Sequence, residues 1–358
     1  MSRLHFDEHV LEVTPYTPDW LGVDRSQFVC LDRNESTQPL PDEVAEVLAR
    51  HIRDNGVHGY PDDTAAYPGL AAYAGVPESH LLLTNGSDQA IDITLRCFLR
   101  PGDELLIATP EFAIFRQVAD LAGAVVTGIP YEGGSFDFPY EKFRAAAEAR
   151  PRVIAFINPN NPTGSPVDLE FVREIASAYP DIPVIVDEAY YEFTKISAAR
   201  FTLSHPNVIV FRTFSKAFAM AGLRLGYVVA DPEVIGELIK IRNPFDVNTL
   251  AIVAGSAQLQ RIDQVQAFAN EVIARIKPAA VAHLTGIGVP VVAGAANFIL
   301  VKPRRCGEAV RHLRESGILV RSMSAKQLAG MFRVTVGTQD EMAHFSASYS
   351  AYNEGVGN

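Results

Sequence analysis

The chain is poor in cysteine, in tryptophan and in uninterrupted apolar sequence. Its 358 residues hold 3 cysteines and 1 tryptophan. Cys30, Cys97 and Cys306 stand far apart with no CxxC pair, so they offer neither a disulfide framework nor a zinc knuckle. A reducing compartment fits that usage. No run approaches the ~18 apolar residues of a spanning helix, and the segment from Met1 to His9 carries charge where a secretory signal has its apolar core. The expectation is a cytoplasmic protein with no membrane span. Basic residues are also in deficit: 31 Lys and Arg against 42 Asp and Glu leave a net charge of −11. That disfavours a protein that binds by neutralising nucleic-acid phosphates. A small anionic substrate remains compatible, because a few placed arginines override a weak global charge.

What is present is enough for a large core. Hydrophobic residues make up 48 % and charged residues 20 %, a globular composition, and the length suggests two compact units. From about residue 30 to 247, continuous apolar runs alternate with helical patterns, as in an α/β fold whose strands are buried on both faces. The runs are Leu81 to Thr84, Glu104 to Ala108, Val153 to Ile157, Val184 to Val186, Val208 to Phe211 and Gly226 to Ala230. Helices are predicted over Asp88 to Leu99 and Leu169 to Ala178. Beyond 247 a long helical stretch, Leu250 to about Leu284, precedes strands at Phe298 to Val301, Ile318 to Val320 and Phe332 to Val336.

The predicted fold class is therefore α/β, a large domain with a mostly parallel central sheet flanked by helices, plus a smaller α+β domain. Residues 1–30 read as an arm docking on the small domain or on a partner subunit, 31–247 as the large domain and 248–358 as the small one. The joint near Asn243-Pro244-Phe245 is short, so the two units should share a cleft, a usual place for a small-molecule site.

Four segments carry candidate chemistry. In Thr213-Phe-Ser-Lys-Ala-Phe-Ala-Met-Ala-Gly-Leu-Arg224, a lysine among small and apolar residues follows a buried strand, which suits a desolvated reactive amine; a solvated lysine beside structural hydroxyls is the plainer reading. Asp187, in Val186-Asp187-Glu-Ala-Tyr190, ends an apolar strand at the edge where open α/β sheets bind ligands; a helix-capping Asp is the alternative. Asn158-Pro-Asn-Asn-Pro-Thr-Gly164 is a rigid loop offering the Asn161 amide, though turn chemistry alone would explain its composition. Thr84-Asn-Gly-Ser-Asp88 turns a strand into a helix and aims backbone N–H groups at an anion, without P-loop or GxGxxG spacing.

Taken in this order, the segments resemble the fold-type I, aspartate aminotransferase-like pyridoxal-phosphate enzymes, and within them the histidinol-phosphate aminotransferase-like family. Leu31-Asp-Arg-Asn-Glu35, Gly59-Tyr-Pro61, Ala296-Asn-Phe298 and Phe332-Arg-Val-Thr-Val-Gly337 extend the likeness over nearly the whole chain. The resemblance implies pyridoxal 5'-phosphate as cofactor, Lys216 as its Schiff-base lysine, Asp187 on the ring nitrogen, and Asn161 and Tyr190 on the ring oxygen. It implies a phosphate site made by Asn85, Gly86, Ser87, Thr213, Ser215 and Arg224, with Tyr60 reaching it from the neighbouring subunit of a homodimer. Arg333 and Arg321 would receive the substrate's carboxylate or phosphate, and Tyr16, Asn34 and Phe245 would complete the pocket. Phe112 would stack on the ring where the family usually has a tyrosine.

The activity implied is transfer of an amino group between a small-molecule donor and a keto acceptor, foremost imidazole acetol phosphate with the glutamate and 2-oxoglutarate pair. Alternatives are an aromatic or other aminotransferase, a threonine-phosphate decarboxylase-like enzyme, suggested by Pro110-Glu-Phe-Ala113, and a non-catalytic cofactor-binding protein. His5-Phe-Asp-Glu-His9 matches an H-x-x-E-H zinc pattern but has no third ligand in view, so no metal is expected.

Overall fold

Apolar runs that are continuous in sequence become strands buried on both faces. The structure, a computed structural model, describes residues 5–6, 8–15, 17 and 19–357. Among them are thirteen strands, numbered in chain order from β1, the pair Val29–Cys30. Then come β2 (Leu81–Thr84), β3 (Glu104–Thr109), β4 (Val125–Pro130), β5 (Val153–Ile157), β6 (Val184–Asp187), β7 (Val208–Thr213) and β8 (Gly226–Val229). These seven, β2 to β8, form one sheet in the order β2-β8-β7-β6-β5-β3-β4. β3 to β7 pair in parallel, whereas β8 runs antiparallel to both of its neighbours.

Alternate residues serve opposite faces of this sheet. Ile154, Phe156, Val184 and Val186 join the larger apolar cluster, while Val153, Ala155, Ile157 and Ile185 join a second cluster. Six of the seven strands coincide with the expected runs. β4 does not: it is an edge strand of half-exposed Val, Thr, Gly and Pro residues, and edge strands need no continuous apolar sequence.

The second sheet is antiparallel. β9 (Val291–Val292), β10 (Phe298–Val301), β12 (Arg321–Ser322) and β13 (Phe332–Thr335) pair in the order β12-β13-β10-β9, and β11 (Ile318–Leu319) pairs in parallel with β1. The expected helical stretch from 250 to about 284 consists of Thr249–Leu259, Ile262–Glu271 and Lys277–Gly286, with a π-helical turn, Val272–Ile276, before the last. Its first piece packs on the helix Asp42–Asn55. Gly255 permits this side of the fold to close, since a Cβ there would run into the Leu225 side chain.

Residues 20 to 31 run along the second sheet. The Trp20 indole donates to the Val320 carbonyl at 3.3 Å, Leu31 N–H donates to Leu319 O at 2.9 Å and Thr335 N–H donates to Leu31 O at 2.8 Å. No helix among the described residues is long and apolar enough to cross a membrane.

Candidate active site

The parallel strands β5, β6 and β7 end at one edge of the large sheet, and the turn after β2 reaches the same edge because Thr84, Gly226 and Thr213 are in register. There the helix Gly86–Phe98 begins with no side-chain cap, which leaves its first N–H groups available to an anion. Gly226 makes the close approach: a Cβ on it would lie 2.6 Å from the Gly86 carbonyl carbon and 2.7 Å from the Ser87 nitrogen. Gly86 itself has φ +77° and faces the Arg224 guanidinium, 2.5 Å from where its Cβ would be. Arg224 donates to Ser215 Oγ at 3.3 Å and to Asp88 at 2.9 Å, and Thr213 Oγ1 donates to Ser215 Oγ at 2.9 Å. Donors from three elements thus converge on one point.

Beside this cradle opens a cavity of about 740 Å³, lined among others by Lys216, Asp187, Tyr190, Asn161 and Phe112. Lys216 Nζ donates to the Arg33 carbonyl at 3.1 Å. Burial, and then the positive charge of Arg333, push this amine down to about 8. Asp187 is 3 % exposed and accepts from the Ala189 amide at 3.0 Å. It forms no salt bridge among the described residues, and burial pushes its carboxyl up to about 7. Such a carboxylate needs a cation from a ligand.

Tyr190 Oη accepts from Asn34 Nδ2 at 2.9 Å. Asn161 Oδ1 accepts from Arg333, so its amide NH₂ is turned away from the guanidinium, which only donates. Arg333 also donates to the Asp32 carbonyl at 2.9 Å. Arg321 and Arg333 are directly opposite each other on β12 and β13, and both line the cavity. Phe112 precedes the helix Ala113–Leu121, and Glu111 pairs with Arg116 at 2.6 Å.

The aminotransferase class I and II family matches residues 26–348. The histidinol-phosphate aminotransferase of Symbiobacterium thermophilum is 36 % identical over 330 residues, 90 % of this chain and 90 % of that protein. The chain belongs to the histidinol-phosphate aminotransferase-like family. Histidinol-phosphate aminotransferase 1 of Carboxydothermus hydrogenoformans is 33 % identical over 344 residues, 94 % of this chain and 95 % of its own. In fold, the Sinorhizobium meliloti histidinol-phosphate aminotransferase, solved with pyridoxal-5'-phosphate, superposes with a TM-score of 0.88 at 21 % identity and 99 % coverage of both chains. A double mutant of Thermus thermophilus aspartate aminotransferase superposes with a TM-score of 0.80 at 21 % identity, covering 97 % of this chain and 100 % of that one.

The protein is thus a pyridoxal-phosphate-dependent aminotransferase acting on an amino donor and a keto acceptor. Its cleft fits that cofactor: a buried carboxylate with no salt bridge among the described residues, a lysine whose amine is pushed down by burial and an anion cradle meet within it. Two expected pocket residues in this aminotransferase stand elsewhere. Asn34 is 1 % exposed and does not line the cavity; it holds Tyr190 and, through its backbone N–H, Thr335 Oγ1 at 2.9 Å. Phe245, half-exposed outside the cavity of its own chain, stacks on Tyr60 at 4.3 Å. Tyr60 is 82 % exposed. Tyr16 lies outside the described residues.

His9, from the zinc-like motif, packs against Gly123. Asp32, Arg33 and Asp88 also line the cavity, beyond the site residues expected from sequence. The first two act through backbone carbonyls, which carry no side-chain signature, while Asp88 in the Gly-Ser-Asp turn was visible but ambiguous.

Proposed function

We propose that this aminotransferase interconverts L-histidinol phosphate and imidazole acetol phosphate, with 2-oxoglutarate and L-glutamate as the partner pair. The observation that carries the phosphate reading is the cross-strand pair Arg321 and Arg333 on one wall of the cavity. Two planar guanidinium groups give a multidentate grip on a phosphate ester that a single lysine would not. The names of the relatives support the same reading.

When bound, pyridoxal phosphate supplies a sink for the electrons released as the substrate's Cα–H bond breaks. The chain's own residues have these roles. Backbone N–H groups of Gly86 and Ser87, after Asn85, together with Thr213, Ser215 and Arg224, hold the cofactor phosphate. Support comes from the uncapped helix and the converging donors. Asp187 holds the proton on the ring nitrogen, a role supported by its burial with no salt bridge among the described residues.

Tyr190 and Asn161 donate to the ring oxygen. Because Asn34 already donates to Tyr190 Oη, the phenolic proton is left to point elsewhere. Phe112 covers the ring and helps exclude water. Lys216 is held near 8, so part of it is neutral close to physiological pH and able to attack a carbonyl. Afterwards its Nζ carries the proton to and from the substrate Cα.

A homodimer with shared sites is supported by the exposed stacked pair Tyr60 and Phe245, with exposed Ile52 and Val57 on the same stretch of chain as Tyr60. Tyr60 would reach the partner subunit's phosphate site. Sedimentation showing an active monomer would remove it from that role. A cytoplasmic setting is supported by three free cysteines. The deciding experiment compares acceptors with and without a phosphate: Arg321→Ala should lose activity on phosphorylated acceptors alone, and indifference to the substitution would refute the assignment.

A further inference from the structure

A second buried lysine lies outside the active-site cavity. Lys277 is 5 % exposed, and its Nζ donates to the carbonyls of Gly294 at 2.8 Å and Ala296 at 2.7 Å. It forms no salt bridge among the described residues, and burial pushes its amine down to about 8. An ammonium held out of water by carbonyls alone is costly, and it is tolerated only while those carbonyls keep their places.

The loop it grips, residues 294–297, joins β9 to β10 and reaches, at one remove, both residues assigned to the cofactor's ring oxygen. On one side the Ala295 N–H donates to the Gly164 carbonyl at 2.6 Å. The two backbones meet there because both partners are glycines: a Cβ on Gly294 would lie 2.6 Å from Gly164 Cα, and one on Gly164 would lie 3.0 Å from Gly294 Cα. The Gly164 N–H in turn donates to the Asn160 carbonyl at 2.8 Å, closing the turn that carries Asn161. On the other side Asn297 Nδ2 donates to the Asn34 carbonyl at 3.3 Å, and Asn34 Nδ2 donates to Tyr190 Oη. Asn161 and Tyr190 therefore lean on one short loop, and that loop is held by Lys277.

Resting on the reading that Asn161 and Tyr190 donate to the ring oxygen, we propose that Lys277 is a positioning residue for this reaction: its ammonium fixes the 294–297 loop and thereby sets the hydrogen bonds that Asn161 and Tyr190 make to the cofactor. Lys277 does not line the cavity, so it acts through the loop alone. Donors on the ring oxygen stabilise its anionic form. When they slacken, the oxygen becomes more basic and holds more firmly the proton that it shares with Lys216 Nζ. The colour change of the bound chromophore then moves to higher pH.

The test is an absorbance titration of the holoenzyme against pH, with urea unfolding beside it. Asn161→Ala should move the chromophore midpoint up by about one pH unit, the scale of one hydrogen bond to a charged group. Lys277→Met keeps the apolar stem but neither the charge nor the donors, and should move the midpoint up by about half as much. Because it also removes a charge, the two substitutions are combined. In the Asn161→Ala protein the step caused by Lys277→Met should be smaller, since part of what Lys277 positions is gone. Equal steps in both backgrounds mean that the lost charge acts directly, and overturn the proposal. So does a Lys277→Met protein that is less stable in urea with an unmoved midpoint. If Lys277→Met does not fold, Lys277→Gln, which keeps an amide donor, is titrated in its place under the same criteria. An unmoved midpoint in Asn161→Ala overturns the ring-oxygen reading and the proposal with it, whereas a moved one beside an unmoved Lys277→Met rejects only the role of Lys277.

Discussion

Replacing Asp187 by asparagine should make the cofactor-free protein more stable and the cofactor less tightly held. Asp187 ends β6 with 3 % exposure, one hydrogen bond from the Ala189 amide, and no salt bridge among the described residues. Burial lifts its carboxyl from the usual 3.8 to about 7; the Ala189 amide pulls it partly back, and the charges of Asp88 and Glu188 add to the rise. A carboxyl whose proton binds more tightly in the folded state contributes stability that is fully present below pH 3.8 and lost as pH rises through about 7. The distance between those values corresponds to about 4 kcal/mol.

Asparagine keeps the oxygen that accepts from Ala189 and never ionises. The stability gap in favour of Asp187→Asn should therefore grow by about 3 kcal/mol between pH 5 and pH 8. Urea unfolding of both cofactor-stripped proteins at those two pH values measures the gap, and absorbance titration with pyridoxal phosphate measures the accompanying loss of affinity. A gap that is absent at pH 8, or that does not widen from pH 5, would refute the account of Asp187 as a carboxylate destabilised until a cation arrives.

Four further outcomes follow from the same geometry. Gly86→Ala places a methyl against Arg224 at a left-handed backbone position; strain of about 1–2 kcal/mol and loss of one charged hydrogen bond, about 1.5–3 kcal/mol, should weaken cofactor binding about 100-fold or more in the absorbance titration. Lys216→Ala should purify without the borohydride-reducible chromophore of the wild type. In the wild type, chromophore formation should quicken as pH rises through about 8, and Arg333→Met should move that midpoint upward, because a neighbouring positive charge is removed. Asn34→Ala should lower kcat and move the pH at which the bound chromophore changes colour; a loss of stability with an unmoved midpoint would show that Asn34 only packs.

Much of the large sheet was legible because its strands are buried on both faces and read as unbroken apolar runs: Val153 to Ile157 was placed to the residue. β4 was hidden by its half-exposed edge position, and the direction of β8 by the fact that burial does not distinguish parallel from antiparallel strands. The break near Gln260 carries no signal because no glycine or proline marks it: Thr249–Leu259 and Ile262–Glu271 are joined by Gln260 and Arg261, residues that a helix accepts readily. In the site, side chains with distinctive chemistry, Lys216, Asp187, Arg224 and Arg333, were found in the cavity. Asn34, expected in the pocket from the family resemblance, stands behind Tyr190 and donates to its hydroxyl, and sequence does not separate a residue that supports a site wall from one that forms it. Asp19, whose carboxylate lies 3.3 Å from Arg321 on the cavity wall, had no motif around it; their meeting depends on a pairing of segments about 300 residues apart.

That long-range pairing governs the order in which the enzyme can be made. Strands β2 to β8 lie between residues 81 and 229, so the large sheet can complete itself well before the chain is finished. β1 has no partner until Ile318 and Leu319 have left the ribosome, nearly 290 residues later. At about 5–20 residues per second, that is a wait of about 15–60 s. The anion-binding wall, which needs β12 and β13 as well, forms last. A nascent or prematurely terminated chain therefore has a cofactor edge before it has any means of choosing a substrate.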